Sequence, residues 1–418
     1  MFHRLLLTLV CALSVVSALR AGQLPKLAED SAIAYSKTAA TDPVARLMKK
    51  IESGQTTIAY EEQHGYLPSL LKALNVPVSS QGLVFSRTSL QVDRIAPWSP
   101  RAIYFNDDIY LGWVQGGPIM EIAAVDPKLG AVFYTVDQEP GERPVIRREG
   151  RTCLQCHDSG QTGGVPGFIM RSVVTDRYGY PVAAGTSATT DQTKLEERWG
   201  GWYVTGTMGN LHHKGNAMVP LLAHEIGNVD SYLARNPIVS TGDVTSLAGK
   251  FDPDPYLAPD SDAVALLVLA HQSEIHNLIT RAGYEASRAL AVNGSMAVVD
   301  AASERLVRAL LFVNAAPFAA PVEGTSSFAK DFVNAGPRDH RGRSLREFDL
   351  KTRLFRYPLS YLIYSEGFDA LPPVVKNYVS RRLHDVVSGT DTAREFNHLS
   401  ADDRQAIGEI LADTKAGF

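Results

Sequence analysis

Residues 151–158 read Arg-Thr-Cys-Leu-Gln-Cys-His-Asp, and three of them could do chemistry together. Cys153 and Cys156 stand three positions apart, and His157 follows the second directly. Two thiols at that spacing can bond the vinyl-derived carbons along one edge of a porphyrin. The next residue then lies under the iron and offers it an imidazole nitrogen. The pattern reads as a site for one covalent haem c, held by Cys153 and Cys156, with His157 as the proximal iron ligand. A thioredoxin-like C-x-x-C would follow a strand and open a helix in a βαβ unit, and has no use for the histidine. Half of a zinc site would need a second Cys/His pair, and no second cysteine pair exists. A Cys153–Cys156 disulfide would be strained over so short a loop.

In these residues the chain resembles the c-type cytochromes. The resemblance covers only the Cys-x-x-Cys-His run, so it implies the cofactor and its proximal ligand and leaves fold and activity open. The small soluble cytochromes c carry the motif near the start of a much shorter helical chain, whereas here long segments flank it on both sides.

The elements that must position the motif change along the chain. Thr41-Asp42-Pro43 reads as a helix start, with Val44, Leu47, Met48 and Ile51 at helical spacing after it. Short β-branched and aromatic runs then recur at 83–85, 102–105, 109–114, 119–125 and 131–136. Asn106-Asp107-Asp108, Gly116-Gly117-Pro118 and Asp126-Pro127-Lys128-Leu129-Gly130 punctuate them, the pattern of successive hairpins. Two more strand-like runs follow the motif, 168–174 and 202–204, and then a polar glycine-punctuated loop at 206–216. The remainder has helical periodicity over roughly 262–292, 296–313, 357–367, 372–388 and 400–414. The expected class is α+β, with an antiparallel β-rich N-terminal half leading into the haem motif and a mostly α-helical C-terminal half. The divisions are 1–21 as signal peptide, 26–150 as a helix plus antiparallel β unit, 151–260 as the haem-binding region and 261–418 as a helical region.

A haem iron held by His157 is either six-coordinate or open on its far side. The candidates for the distal ligand are His213, then His271, then Met218, then an open site. His213 sits with His212 in the glycine-punctuated loop, where the alternative is an exposed histidine. Met218 lies past the motif at about the place where small cytochromes c put theirs, with Met208 a weaker choice. On a helix through 262–282, His271 falls in the middle of the face formed by Val264, Leu267, Val268, Ile275, Leu278 and Ile279. There it is a core histidine or a ligand, with Glu274 as a possible hydrogen-bond partner. His276 falls near the edge of that face. His224-Glu225 starts like a zinc-protease motif but lacks the second histidine. The arginines from Arg338 to Arg356 could dock an acidic partner, or form a solvated loop with Asp339, Glu347 and Asp349. Trp199, Trp202 and Tyr203 could line the haem pocket or simply pack the core.

The 418 residues are 45% hydrophobic and 21% charged, an ordinary globular balance. The net charge of -4 gives no basic excess for nucleic acid. Met1-Phe2-His3-Arg4 leads into an apolar run over Leu5–Leu19 with Ala18 and Ala21 near its end, the pattern of a cleaved signal peptide that would remove Cys11. No later apolar run is long enough to span a bilayer, so no stable membrane insertion is expected after cleavage, and the location is periplasmic or otherwise extracytoplasmic. The leading functional expectation is one-electron transfer with a redox partner protein. The alternative is a haem enzyme, peroxidase- or oxygenase-like, whose open distal face takes a small-molecule substrate. A haem-based sensor comes third. Expressed in a Gram-negative host, the mature protein is expected in the periplasm with its N-terminus near Leu19 or Gly22. Full-length chain recovered in the membrane fraction would point to an uncleaved anchor instead.

Overall fold

Asp42 and Pro43 begin the first helix as the sequence implies. The Asp42 carboxylate accepts the backbone N–H groups of Val44 (2.8 Å) and Ala45 (3.1 Å), and proline takes the first helical position. The structure is a computed structural model that describes residues 26–417; the segment 1–21 expected as signal peptide and Cys11 lie outside the described residues. Helices α1 (Pro43–Glu52) and α2 (Leu67–Ala73) precede six strands: β1 (Gly82–Val84), β2 (Arg101–Phe105), β3 (Ile109–Trp113), β4 (Ile119–Asp126), β5 (Gly130–Asp137) and β6 (Ile146–Glu149). They form one antiparallel sheet in chain order. The arginine-rich edge strand β6 carries no hydrophobic alternation, so the sequence pattern passes over it.

Because side chains alternate along a strand, each face of this sheet serves a different layer. Ala102, Tyr104, Leu111, Ile122, Val132, Tyr134 and Val136 pack with α1 and α2. Phe105, Tyr110, Val125, Ala131 and Phe133 point the other way, into the core built on the C-terminal helices. The layers are joined by polar contacts as well, for the Tyr134 hydroxyl donates to Asp42 at 2.5 Å.

After β6 the chain makes a short helix, α3 (Arg151–His157), which holds the whole cysteine motif. Next come the β7 (Arg171–Thr175) and β8 (Pro181–Ala188) hairpin, the two-residue β9 (His212–His213), α4 (Val229–Arg235), and β10 (Ser240–Thr241) paired with β9. The stretch 202–204 is not a strand; Trp202 makes only an isolated bridge to Val84. The C-terminal half consists of α5 (Ala263–Ala291), α6 (Met296–Leu310), α7 (Phe328–Asn334), α8 (Glu366–Asp369), α9 (Pro373–Val387) and α10 (Ala401–Thr414). The architecture is therefore α+β, as expected. One helical expectation fails in detail: 357–367 is a tight turn at Tyr361–Tyr364 followed by the one-turn α8. Arg338 to Arg356 forms irregular backbone whose arginines are bound within the chain. Arg343 meets Asp339 (2.7 Å) and Glu409 (2.6 Å), Arg353 meets Asp403 (2.6 Å), Arg356 meets Glu347 (3.1 Å), and Arg346 meets Asp107.

Helix α5 is the spine of this half, roughly 43 Å long at 1.5 Å per residue. Its first eleven residues, Ala263 to Ser273, are all buried, so an amphipathic reading understates it. His276 is accordingly buried too, not at an edge. Its Nε2 lies 2.7 Å from the Asp107 carbonyl, and its Nδ1 is a buried atom without a hydrogen-bond partner. Burial holds the His276 imidazole down to about 4, against the Asp107 carbonyl and carboxylate, which favour the cation. A folded value below the unfolded 6.5 contributes stability that is complete above pH ~6.5 and is lost as pH falls towards 4. The stability advantage of wild type over His276→Gln, measured by urea unfolding, should therefore shrink between pH 7.5 and 4.5 by about 1–3 kcal/mol. Parallel curves across that range would contradict it.

Candidate functional site

The sheet face turned towards α5 carries a cavity of about 330 Å3, in the size range of small-molecule sites. Its floor is a patch of alternate residues brought side by side by the strand register. Ile103 pairs with Gly112, Gly112 with Glu121 and Glu121 with Thr135; Tyr110 pairs with Ala123, and Ala123 with Phe133. Over this floor α3 presents Cys153, Cys156 and His157. The rest of the lining includes Phe168, Ile169, Met170 and Arg171, with Leu269 and Ser273 of α5 and Trp202.

The two cysteines are not bonded to each other; Cys153 is half-buried and Cys156 exposed. Burial, reinforced by Glu149 and Glu121, pushes the Cys153 thiol up to about 12. A disulfide oxidoreductase needs the opposite, a cysteine held as thiolate near neutral pH. Strand β6 does lead into the α3 helix, but it is an antiparallel edge strand and no βαβ unit surrounds the motif. A zinc site also lacks support: among the described residues no three His, Cys, Asp or Glu side chains converge on one point. Attachment of a haem requires only the two thiols and one axial imidazole.

One ring nitrogen of His157 is committed to the backbone and the other is not. Its Nδ1 lies 2.9 Å from the Gly167 carbonyl oxygen, which can only accept, so Nδ1 carries the proton and donates. Nε2 takes no partner among the described residues, and the ring lines the cavity against Phe133 at 4.7 Å. Burial pulls the imidazole below its ordinary value, partly offset by the Gly167 carbonyl, so the ring is neutral at neutral pH. A metal-binding histidine ordinarily fixes its tautomer in this way.

Asn277 of α5 holds the carbonyl in place. Its side-chain oxygen accepts the Phe168 N–H (2.8 Å) and its amide donates to the Phe168 carbonyl (2.8 Å). Gly167 has room for this contact only because it has no side chain; a Cβ there would sit 2.2 Å from Asn277 Oδ1. On the floor, Arg101 pairs with Glu121 at 2.6 Å, and Gly112 leaves the space the guanidinium occupies, since a Cβ would lie 2.1 Å from Arg101 Nη2.

None of the distal candidates read from the sequence lines this cavity. His213 is fully buried, edge-on to Trp199 at 5.3 Å, with Nδ1 accepting the Gly215 N–H. Met218 packs at the margin of the N-terminal core. Both nitrogens of His271 are engaged, Nδ1 with Asp191 at 2.6 Å and Nε2 with the Ser360 hydroxyl at 2.8 Å. The acid beside it is thus Asp191, far away in sequence; Glu274 instead accepts the Asp191 N–H. Serine hydrolases use that order of groups, but Ser360 is wholly buried. Of the aromatic cluster, Trp202 lines the cavity, while Trp199 and Tyr203 pack elsewhere in the core.

The sequence did not single out Met170, Arg101, Glu121, Gly167 or Asn277. The glycine-rich run after the motif and an asparagine beside His276 were the only signals, and neither specifies a contact. Comparison of the chain with protein-family models, with curated proteins and with solved structures finds no match.

Asn277→Ala would leave both backbone groups of Phe168 unpaired where α5 covers them. The expected loss is about 2–4 kcal/mol in urea unfolding, with Asn277→Asp intermediate because it keeps the acceptor. A loss under about 0.5 kcal/mol, the usual range for surface changes, would mean the clamp is not needed.

Proposed function

We propose that the chain is an exported c-type cytochrome domain protein that carries one haem c and passes single electrons to or from a redox partner. The observation that carries this reading is the His157 arrangement: Nδ1–H committed to the Gly167 carbonyl, Nε2 free, and both cysteines on the wall of the same cavity. Cys153 and Cys156 would hold the haem through two thioether bonds and His157 would ligate its iron. When bound, the haem supplies an iron that cycles between ferrous and ferric states, one electron at a time.

The residues around it suit a carrier. His157 is the one histidine lining the cavity among the described residues, so no second imidazole is available there as ligand or as acid and base. Met170 lines the wall with 3% of its surface exposed, and we assign the distal ligand to it in place of His213, His271 and Met218. A thioether as the iron's second ligand would favour the ferrous state and raise the potential. Tyr110, Phe133, Phe168 and Trp202 line the site with aromatic rings.

The Arg101–Glu121 pair supports a second reading. A carboxylate and a guanidinium on the floor of the cavity could serve peroxidase- or oxygenase-like chemistry, with Glu121 as the proton carrier. Spectroscopy separates the two.

Produced with a working maturation system, the wild type should stain for covalent haem on a denaturing gel, and Cys153→Ala with Cys156→Ala should not. Absence of covalent haem in the wild type would overturn the reading. The ferric wild type should be low-spin and indifferent to cyanide, and Met170→Ala high-spin and cyanide-binding. A wild type that is already high-spin and consumes peroxide would transfer the assignment to the enzyme reading.

A further inference from the structure

Helix α5 has a second cavity on its other side. Leu269 and Ser273 line the cysteine cavity, whereas Leu267 lines this one, and positions two apart on a helix point about 200° apart. The second cavity measures about 460 Å3 and shares no lining residue with the first. Phe312, Phe318, Phe355 and Leu354 make much of its wall apolar and aromatic.

Its polar end is unusual. Arg198 lines the cavity yet is only 3% exposed. Its Nε donates to the Thr193 carbonyl (2.8 Å) and its Nη2 to the Asp191 carbonyl (3.0 Å). Nη1 takes no partner among the described residues and is not among the atoms sealed away from every surface. Among the described residues no carboxylate comes within ion-pair distance of the guanidinium, although Asp191 and Glu274 lie near enough to favour its charge. Asp191 spends its carboxylate on His271, and Glu274 spends its own on the Asp191 N–H. A buried cation held only by backbone carbonyls is costly, because carbonyl dipoles replace water without cancelling the charge. The cavity borders the guanidinium, and the two acids that also line it, Asp191 and Glu395, are engaged with His271 and Arg308. At the rim Arg394 is exposed and has no partner among the described residues. The other lining arginine, Arg353, is occupied by Asp403.

We propose that this second cavity binds a small organic anion, a monocarboxylate with an aromatic or short alkyl body. The carboxylate would meet Arg198 at the closed end, with Arg394 drawing it in from the rim, and the body would lie against Phe312, Phe318 and Phe355. The site is separate from the cysteine cavity and does not depend on the haem reading.

The test is isothermal titration calorimetry of the full mature chain with phenylacetate, alongside its neutral counterpart 2-phenylethanol. Phenylacetate should bind at one site per chain, and the alcohol roughly tenfold or more weaker, the worth of one charge-assisted hydrogen bond. Arg198→Gln should weaken phenylacetate by a similar factor, Phe318→Ala should weaken both probes, and Arg394→Gln should weaken phenylacetate alone by a few-fold. Arg394 is exposed, so its variant keeps the test valid where Arg198→Gln does not fold. No binding of phenylacetate in the millimolar range overturns the proposal. So does equal binding of the alcohol, or phenylacetate binding that is unchanged in folded Arg198→Gln and Arg394→Gln.

Discussion

The bidentate contact between Asn277 and the backbone of Phe168 fixes more of this molecule than its size suggests. It pins an irregular, glycine-rich segment to the longest and most buried helix. That segment supplies the carbonyl that orients His157, and three residues later it supplies Met170. Helices α3 and α5 are remote in sequence, and an imidazole on the end of a seven-residue helix has little to hold it alone. The clamp converts the rigidity of α5 into a defined tautomer and direction at His157.

The second constraint is charge in the cavity floor. Arg101 and Glu121 are both largely buried, at 19% and 15% side-chain exposure, and they sit next to the site proposed for the iron. A lone buried guanidinium there would oppose the positive charge an iron gains on oxidation. Paired at 2.6 Å, the two charges present only a dipole, whose influence falls off faster with distance. Thr135 and Glu149 extend the polar row, through a hydrogen bond of 2.7 Å. Keeping the pair matters more than making it: removal of either member strands the other charge in a poorly solvated place. Gly112 is therefore a packing requirement of the pair, set by the space the guanidinium fills.

The α+β class and most strands and helices were legible because hydrophobic periodicity of two and of 3.6 residues is a local signal. Strand β6 was missed because an edge strand rich in arginine has no such period. The turn at Tyr361–Tyr364 was misread as helix because a buried apolar run looks the same in either form. The candidate site divides in the same way. Cys153, Cys156 and His157 announce themselves by adjacency alone. Met170 and the Arg101–Glu121 pair could not, since what makes them part of the site is register and the crossing of α5 over the sheet. His271 illustrates the limit: its inward direction followed from helix geometry, but its partners Asp191 and Ser360 come from other segments and leave it no free nitrogen.

The arginine stretch from Arg338 to Arg356 gives the same lesson about charge. As sequence it could be a docking patch; as structure it is a set of fasteners. Arg343 bridges Asp339 and Glu409, Arg341 shares Glu409, and Arg353 grips Asp403, so three cations tie irregular backbone to helix α10. Arg346 goes inward, lying over the rings of Phe332 and Tyr361 while it meets Asp107, two residues after the end of β2. Single exposed pairs of this kind contribute little, but shared acids make a network whose members constrain one another. With each arginine facing an acid of its own chain, the stretch presents little long-range positive field. In the proposed electron carrier, recognition of a redox partner would then rest on contacts nearer the cavity mouth, where Cys156 and Leu90 are exposed.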